Sequence, residues 1–87
     1  METEETYGPD DDIDLEGPDY LYVQLAGILA ARIQRGDWAP RRPIPSETQL
    51  VQEYGVARET VRRAIALLVD RDLVRVVPQR GTFVKPK

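Results

Sequence analysis

The sequence predicts a small, mainly α-helical domain that ends in one β-hairpin. Three observations support this: an apolar stripe with helical spacing in residues 21–35, two helix signals on either side of Gly55, and two β-branched runs around a glycine turn near residue 80. Such stripes are typical of helices and such runs of hairpins. Three helices followed by a hairpin, with a glycine turn between the second and third, form a winged helix-turn-helix, which we place at residues 20–87.

The first predicted helix covers residues 21–35. Its apolar side chains recur at spacings of three, one, three and four, which places them on one face; they are Tyr22, Leu25, Ala26, Leu29 and Ile33. Gly36 follows as a stop signal. We expect this amphipathic helix to pack behind the other two, with Trp38 of the connector in the core.

The second predicted helix begins at Ser46, whose hydroxyl can accept from the free amides of a first helical turn. Gln49, three residues on, can reach back to the backbone of Ser46, as in a capping box. Leu50, Val51 and Tyr54 are the apolar positions, and Gly55 supplies the positive φ with which helices commonly end. The sequence therefore predicts a short helix of about two turns.

The third predicted helix carries one apolar stripe and one charged face. The stripe consists of Val61, Ala64, Ile65 and Leu68. The second helix of a helix-turn-helix enters the major groove with its N-terminal residues at the base edges, and here these are Arg58, Glu59, Thr60, Arg62 and Arg63. Arginine matches guanine in a bidentate way and glutamate can accept from cytosine. The alternative is a solvated face on which Glu59 pairs with Arg62 or Arg63.

The hairpin is predicted from the runs Val74 to Val77 and Thr82 to Val84, with Pro78-Gln79-Arg80-Gly81 as the tip. Gly81 lets the backbone approach another molecule closely, and Arg80 beside it suits the electronegative minor groove. The alternative is that Gly81 only closes the turn and Arg80 faces solvent.

These motifs resemble the winged helix-turn-helix domain of the GntR family of bacterial transcription regulators. The resemblance rests on IPSETQL, EYGVARETVRRA and RGTFV in this order, with LYVQLA and RIQRGDW upstream. It implies that the starts of the second and third helices and the wing tip touch operator DNA. The residues so implicated are Ser46, Glu47, Thr48, Arg58, Glu59, Thr60, Arg62, Arg80, Gly81 and Thr82.

Three positions depart from the family pattern. Ala57 stands where a hydroxyl usually caps the third helix. A glycine usual before the second helix is replaced within Arg41-Arg42-Pro43, and a glycine usual after the third helix is Asp72. Because Asp adopts the left-handed region less readily than Gly, we expect a different exit from the third helix.

Charge is distributed unevenly along the 87 residues, whose net charge is -3. Nine of the 15 acidic residues and none of the 12 basic residues lie in residues 1–20, so the remaining chain has twelve basic and six acidic side chains, a net charge of +6. This is the charge balance of a DNA-binding domain. Residues 1–19 are acidic and poor in apolar side chains, and we expect them to form a disordered tail.

Several functional classes find no support in the sequence. The chain has no Cys and no His, which removes thiol nucleophiles, histidine bases and the usual zinc ligands. It also lacks a phosphate-binding glycine loop, a signal peptide and an apolar run of membrane length. We therefore expect no enzyme, no metal site, no cofactor and no small-molecule effector site, and a cytoplasmic, nucleoid-associated protein.

Together these features predict a sequence-specific regulator that binds double-stranded operator DNA. The family resemblance implies a repressor that blocks a promoter, and two half-sites are expected if a homodimer forms on DNA. Two alternatives remain open. One is a protein-interaction module that keeps the winged-helix fold, and the other is an architectural or excision factor of a mobile element.

Overall fold

The computed structural model describes residues 7–86 and contains three helices and one hairpin. Helix α1 is Leu21–Arg35, α2 is Glu47–Tyr54 and α3 is Arg58–Asp70, followed by strands β1, Val74–Val77, and β2, Gly81–Val84. The predicted fold class, three helices plus a wing, is confirmed. None of the helices in the described residues is long and apolar enough to cross a membrane.

The ends of α1 and α2 follow the predicted signals. Ser46 caps α2: its hydroxyl accepts from the Gln49 amide at 3.2 Å, and the Gln49 side chain accepts from the Ser46 amide at 2.9 Å. Gly36 and Gly55 end α1 and α2 in the left-handed region, with φ of 91° and 68°. The capping box is therefore formed as predicted, and it fixes the start of α2.

Helix α3 begins without a side-chain cap and ends in a left-handed turn formed by a residue other than glycine. Ala57 has the extended backbone of an N-cap residue but gives no side-chain cap. At the other end Asp72 adopts φ 64°, so the different exit expected from its replacement of glycine does not occur. The chain keeps the left-handed turn, and a lysine-carboxylate contact between Lys85 and Asp72 accompanies it.

The hairpin is extended by a third segment. Strands β1 and β2 pair antiparallel, with Val74 opposite Val84 and Val77 opposite Gly81, so Gly81 belongs to the second strand and not only to the turn. The loop at residues 41–44 runs along the other edge of β2: the Arg41 amide donates to the Val84 carbonyl at 2.7 Å, and the Ile44 amide to the Thr82 carbonyl at 2.9 Å. The wing is thereby anchored to the connector that precedes α2.

The core lies between α1, α3 and the base of the wing. Its fully buried large side chains include Leu25, Leu29, Leu50, Val61 and Leu68. The single apolar stripe predicted for α1 is too narrow, because seven consecutive residues are buried, namely Gln24, Leu25, Ala26, Gly27, Ile28, Leu29 and Ala30. Helix α1 is therefore covered on two sides, by α3 and by a second layer.

That second layer is residues 7–20, which we call the strap. Composition predicts a disordered tail over residues 1–19, whereas the structure places residues 7–19 against α1; residues 1–6 lie outside the described residues. Ile13 packs against the core. The Gln24 side chain, 2% exposed, accepts from the Asp14 amide at 2.8 Å and donates to the Asp14 and Asp19 carbonyls. A buried amide whose hydrogen bonds are satisfied holds the strap in one place.

An ionic cluster ties the C-terminal ends of α1 and α2 together. Arg32 contacts Asp37 at 2.9 Å and Glu53 at 3.0 Å, and its guanidinium lies 4.5 Å from the ring centroid of Trp38. Hydrogen bonds from Arg35 and then Arg32 hold the pKa of Asp37 well below its usual range. Trp38, expected in the core, is partly buried against it and serves as a platform for Arg32.

Candidate nucleic-acid interface

The start of α2, the start of α3 and the wing tip line one cleft. Its volume is about 360 Å³. Six of the residues that the sequence predicts to contact DNA are among its lining: Ser46, Glu47, Thr48, Arg58, Gly81 and Thr82. The fold therefore brings together side chains from three segments that are separated by up to 36 positions in the sequence.

Glu47 orients the two arginines that are candidates for base reading. Its carboxylate accepts from Arg58 at 3.1 Å and lies 3.4 Å from Arg62, while Arg58 also donates to the Thr48 hydroxyl at 3.1 Å. The Arg58 and Arg62 side chains remain 52% and 62% exposed. Exposed pairs of this kind contribute about 0–1 kcal/mol, so the arginines are directed by Glu47 without being locked.

Ser46 and Thr48 occupy different places in this arrangement. The Ser46 hydroxyl takes part in the capping box of α2. Its main contribution is therefore to fix the start of the helix. The start of a helix presents free amides and a partial positive charge that attract phosphate. Thr48, the second residue of α2, is exposed and accepts a hydrogen bond from Arg58.

Three predicted residues of α3 lie on a different side of the helix. Glu59, Thr60 and Arg63 line a separate cavity with Tyr20, Leu21 and Tyr22 at the start of α1. Arg63 and Glu59 lie 3.5 Å apart at helical spacing, so the ion pair considered as the alternative does form. The structure thus divides the charged face of α3 between two surfaces.

The wing tip is built by two unusual backbone conformations. Gln79 has φ 66° and Gly81 has φ 125°, and the Arg80 amide donates to the Val77 carbonyl at 2.9 Å to close the turn. A φ of 125° is far more accessible to glycine than to other residues. Gly81 is therefore required for the turn, and Arg80 lies exposed at the tip.

Two exposed groups near the interface were not predicted from the sequence. Tyr20 is 76% exposed and stacks on Tyr22 with ring centroids 6.1 Å apart, beside Thr60 and Arg63. Val76 of β1 is 51% exposed and lines the cleft between α3 and the wing. Tyr20 precedes the apolar stripe of α1, and Val76 follows a charged residue in a short strand. The spacing of apolar residues therefore could not predict that either side chain lies near the interface.

A family model described as "Bacterial regulatory proteins, gntR family" matches residues 21–84. Among characterised relatives, the HTH-type transcriptional repressor NagR of Bacillus subtilis (strain 168) is 38% identical over 76 residues, which are 86% of this chain and 31% of that protein. The histidine utilization repressor of Pseudomonas putida is 38% identical over 73 residues, 83% of this chain and 29% of that protein. The chain thus spans less than a third of the length of these relatives.

Solved structures show the same arrangement. YtrA from Sulfolobus acidocaldarius, described as a GntR-family transcription factor, aligns with a TM-score of 0.78 and 34% identity over 87% of this chain and 80% of that chain. AraR(DBD) in complex with operator ORR3 aligns with a TM-score of 0.72 and 35% identity, over 84% of this chain and 95% of that chain.

Proposed function

Because the chain belongs to the gntR family of bacterial regulatory proteins, we propose that it binds a specific operator in double-stranded DNA and represses transcription there. The observation that carries this proposal is the cleft in which the starts of α2 and α3 meet the wing tip. With α3 in the major groove, the wing tip reaches the adjacent minor groove, and one phosphate strand passes between them.

Each group in the interface then has a distinct role. Arg58 and Arg62 read base edges in the major groove, where a bidentate arginine discriminates guanine by about 1–3 kcal/mol. The α2 start and Thr48 meet phosphates, which fix orientation without reading sequence. Arg80 enters the minor groove, while Gly81 and Thr82 let the backbone come close.

Glu47 has the role of a positioning residue in this proposal. Its carboxylate lies 3.1 Å from Arg58 and 3.4 Å from Arg62 in the free protein. When DNA binds, one or both arginines leave Glu47 and contact bases. Glu59, Thr60 and Arg63, on the far side of α3, contact the opposite wall of the major groove or its phosphates. Tyr20 extends that side of the surface.

The proposal includes a bacterial cytoplasmic location at the nucleoid and a homodimer on two half-sites, since the commonest operators mirror a protein two-fold axis. Repression follows from occupancy of a promoter by the bound protein. No catalytic activity, cofactor or small-molecule effector forms part of it.

Selection of bound sequences from a random duplex pool tests the proposal. Enrichment of one motif supports a sequence-specific regulator, whereas retention of duplexes without a motif would indicate an architectural factor. Failure to retain DNA at low salt would favour the protein-interaction module. On the enriched motif, Arg58→Ala should cost about 1–3 kcal/mol and reduce discrimination, while Arg71→Ala, an exposed arginine at the end of α3, should not.

A further inference from the structure

A second basic surface lies on the side of the wing that faces away from the α3 cleft. Arg41, Arg75, Arg80 and Lys85 surround Phe83 and Val77 in an open cavity of about 390 Å³. We propose that this surface, which we call the outer wing face, binds the phosphate backbone of duplex DNA that flanks the operator half-site. The inference rests on the proposed function and adds a sequence-independent contact outside the major-groove site.

The hairpin register explains why these side chains share one face. Arg75 is opposite Phe83, and Val77 is opposite Gly81. Because alternate residues of a strand point to the same side, Arg75 and Val77 lie on one face with Phe83. Arg41 joins them from the third segment, which the Arg41 amide ties to the Val84 carbonyl at 2.7 Å. The cations therefore come from three segments held by backbone hydrogen bonds.

The cations of the outer wing face are available for an external anion. Within residues 7–86, Arg41, Arg75 and Arg80 make no ion pair, whereas Arg32, Arg35, Arg58, Arg62 and Arg63 each have a carboxylate partner within 4.0 Å. Lys85 is the exception on this face, because it contacts Asp72. Three exposed guanidinium groups beside one another repel, and a polyanion removes that repulsion.

The backbone at Arg41 provides an independent observation. Arg41 has φ 70°, in the left-handed region where a side chain is disfavoured and glycine is not. No hydrogen bond or ion pair of the Arg41 side chain within the described part of the chain offsets this conformation. An unfavourable backbone conformation that presents an unpaired cation indicates a functional requirement for that cation.

Several features favour duplex DNA over a small anion. The guanidinium groups are exposed and spread along an open face, whereas a site for a single small anion would converge on one point. Phe83 and Val77 form an apolar floor that can contact sugars. The surface also continues from Arg80 at the wing tip, the residue assigned to the minor groove. With α3 on the inner side of the wing, the outer face meets DNA beyond the half-site.

Two duplexes provide the test. The first is the shortest duplex that retains full sequence selectivity, and the second carries about one extra helical turn, roughly ten base pairs, on the wing side. For the unmodified chain we expect tighter binding and a steeper salt dependence on the long duplex. Arg75→Gln and Arg41→Gly should each weaken binding to it by about 2- to 10-fold and reduce the slope of log K against log salt by about 0.9. Neither should alter binding to the short duplex.

The thermal stability of Arg41→Gly provides a second measurement. Removal of the side chain at φ 70° should leave the thermal midpoint unchanged or raise it by up to about 4–8 °C, so that weaker binding to long DNA coincides with equal or greater stability. Arg71→Gln removes an exposed arginine outside this face that has no ion pair within residues 7–86, and it serves as the matched control, which should bind each duplex like the unmodified chain. A fall in stability of Arg41→Gly that matches its loss of binding would contradict the assignment.

The outcomes separate this inference from the proposed function. If Arg75→Gln and Arg41→Gly bind both duplexes like the unmodified chain, the outer wing face is not a DNA contact, although the regulator assignment stands. Equal losses on short and long duplexes would also overturn the flanking contact. Concentration-dependent self-association abolished by Arg75→Gln, with DNA binding unchanged, would instead assign the face to the acidic strap of a second copy. Absence of any DNA binding by the unmodified chain refutes both proposals.

Discussion

The substitution Gly27→Ala tests whether the strap is docked on α1. In a helix interior alanine is favoured over glycine by about 0.8–1.0 kcal/mol, so this change should normally stabilise the protein. In this structure, however, a methyl group at position 27 would lie 2.6 Å from the Tyr7 ring. The ring must therefore move or leave, and the usual gain is opposed by lost contacts of the strap.

The size of the effect is bounded by the contribution of Tyr7. The ring is half-buried, and its hydroxyl donates to Asp19, so its release costs about 1–2 kcal/mol. The net change for Gly27→Ala is then between zero and about 1 kcal/mol of destabilisation. In a chain that already carries Tyr7→Ala, the same change should stabilise by about 0.8–1.0 kcal/mol. The coupling between the two sites is therefore about 1–2 kcal/mol.

Chemical denaturation of the four chains of this double-mutant cycle measures the coupling. The free energies of unfolding are compared for the unmodified chain, each single variant and the double variant, at constant m-value. Equal stabilisation by Gly27→Ala with and without Tyr7 would mean that the strap does not occupy α1 in solution. In that case residues 7–19 would behave as the flexible tail that their composition indicates.

Three further changes test the helix ends and the ionic cluster. Ser46→Ala removes the capping box of α2 and should lower the free energy of unfolding by about 0.5–2 kcal/mol, with the exposed Thr48→Ala as control. Ala57→Ser adds a cap at an N-cap position of extended backbone and should raise it by about 0.5–2 kcal/mol; an unchanged denaturation midpoint would mean that the hydroxyl cannot reach the α3 amides. The arginines hold the pKa of Asp37 low, so its contribution is present above the unfolded pKa of about 3.9 and is lost as pH falls. Asp37→Asn should therefore lower stability at neutral pH and make stability fall less steeply below about pH 4, and parallel pH profiles would refute the role of this ion pair.

The sequence predicted the elements of the fold whose signals are local. The capping box at Ser46 and Gln49, the glycine stops at Gly36 and Gly55, and the β-branched runs of the wing each act within a few residues. The bounds of α1 and the start of α2 could therefore be predicted to the residue. Asp72 shows the limit of this reasoning, because it adopts φ 64° despite the local preference against the left-handed region.

The strap could not be predicted because its interactions are non-local. The acidic composition of residues 1–19 predicts disorder, whereas the contacts that the structure gives to the strap involve Gln24, Gly27 and Arg35 of α1. A glutamine and a glycine inside a helix carry no pattern that reveals a partner segment. Helix α1 has one apolar stripe for α3, and Tyr7 of the strap lies over Gly27. The position of the strap thus depends on the fit of its side chains against α1 and on the hydrogen bonds of the Gln24 amide. The periodicity of apolar residues indicates neither.

In the candidate site, too, the sequence predicted which residues take part but not the contacts between their side chains. The sequence indicated that Glu47, Arg58 and Arg62 belong to one interface, but it could not show that Glu47 forms ion pairs with both arginines across 11 and 15 positions. This pairing restricts rotamers that would otherwise be fixed only when DNA binds, at about 0.5–1.5 kcal/mol for each long side chain. At the same time the pair is exposed and contributes at most about 1 kcal/mol, so a guanine or a phosphate can displace the carboxylate. Glu47→Gln should then leave the fold intact while it lowers discrimination between operator and random DNA, because Arg58 and Arg62 lose the carboxylate charge that holds them near one point. Retention of full discrimination by Glu47→Gln, measured on the selected motif and on a scrambled duplex at the same salt, would show that DNA alone orients the arginines.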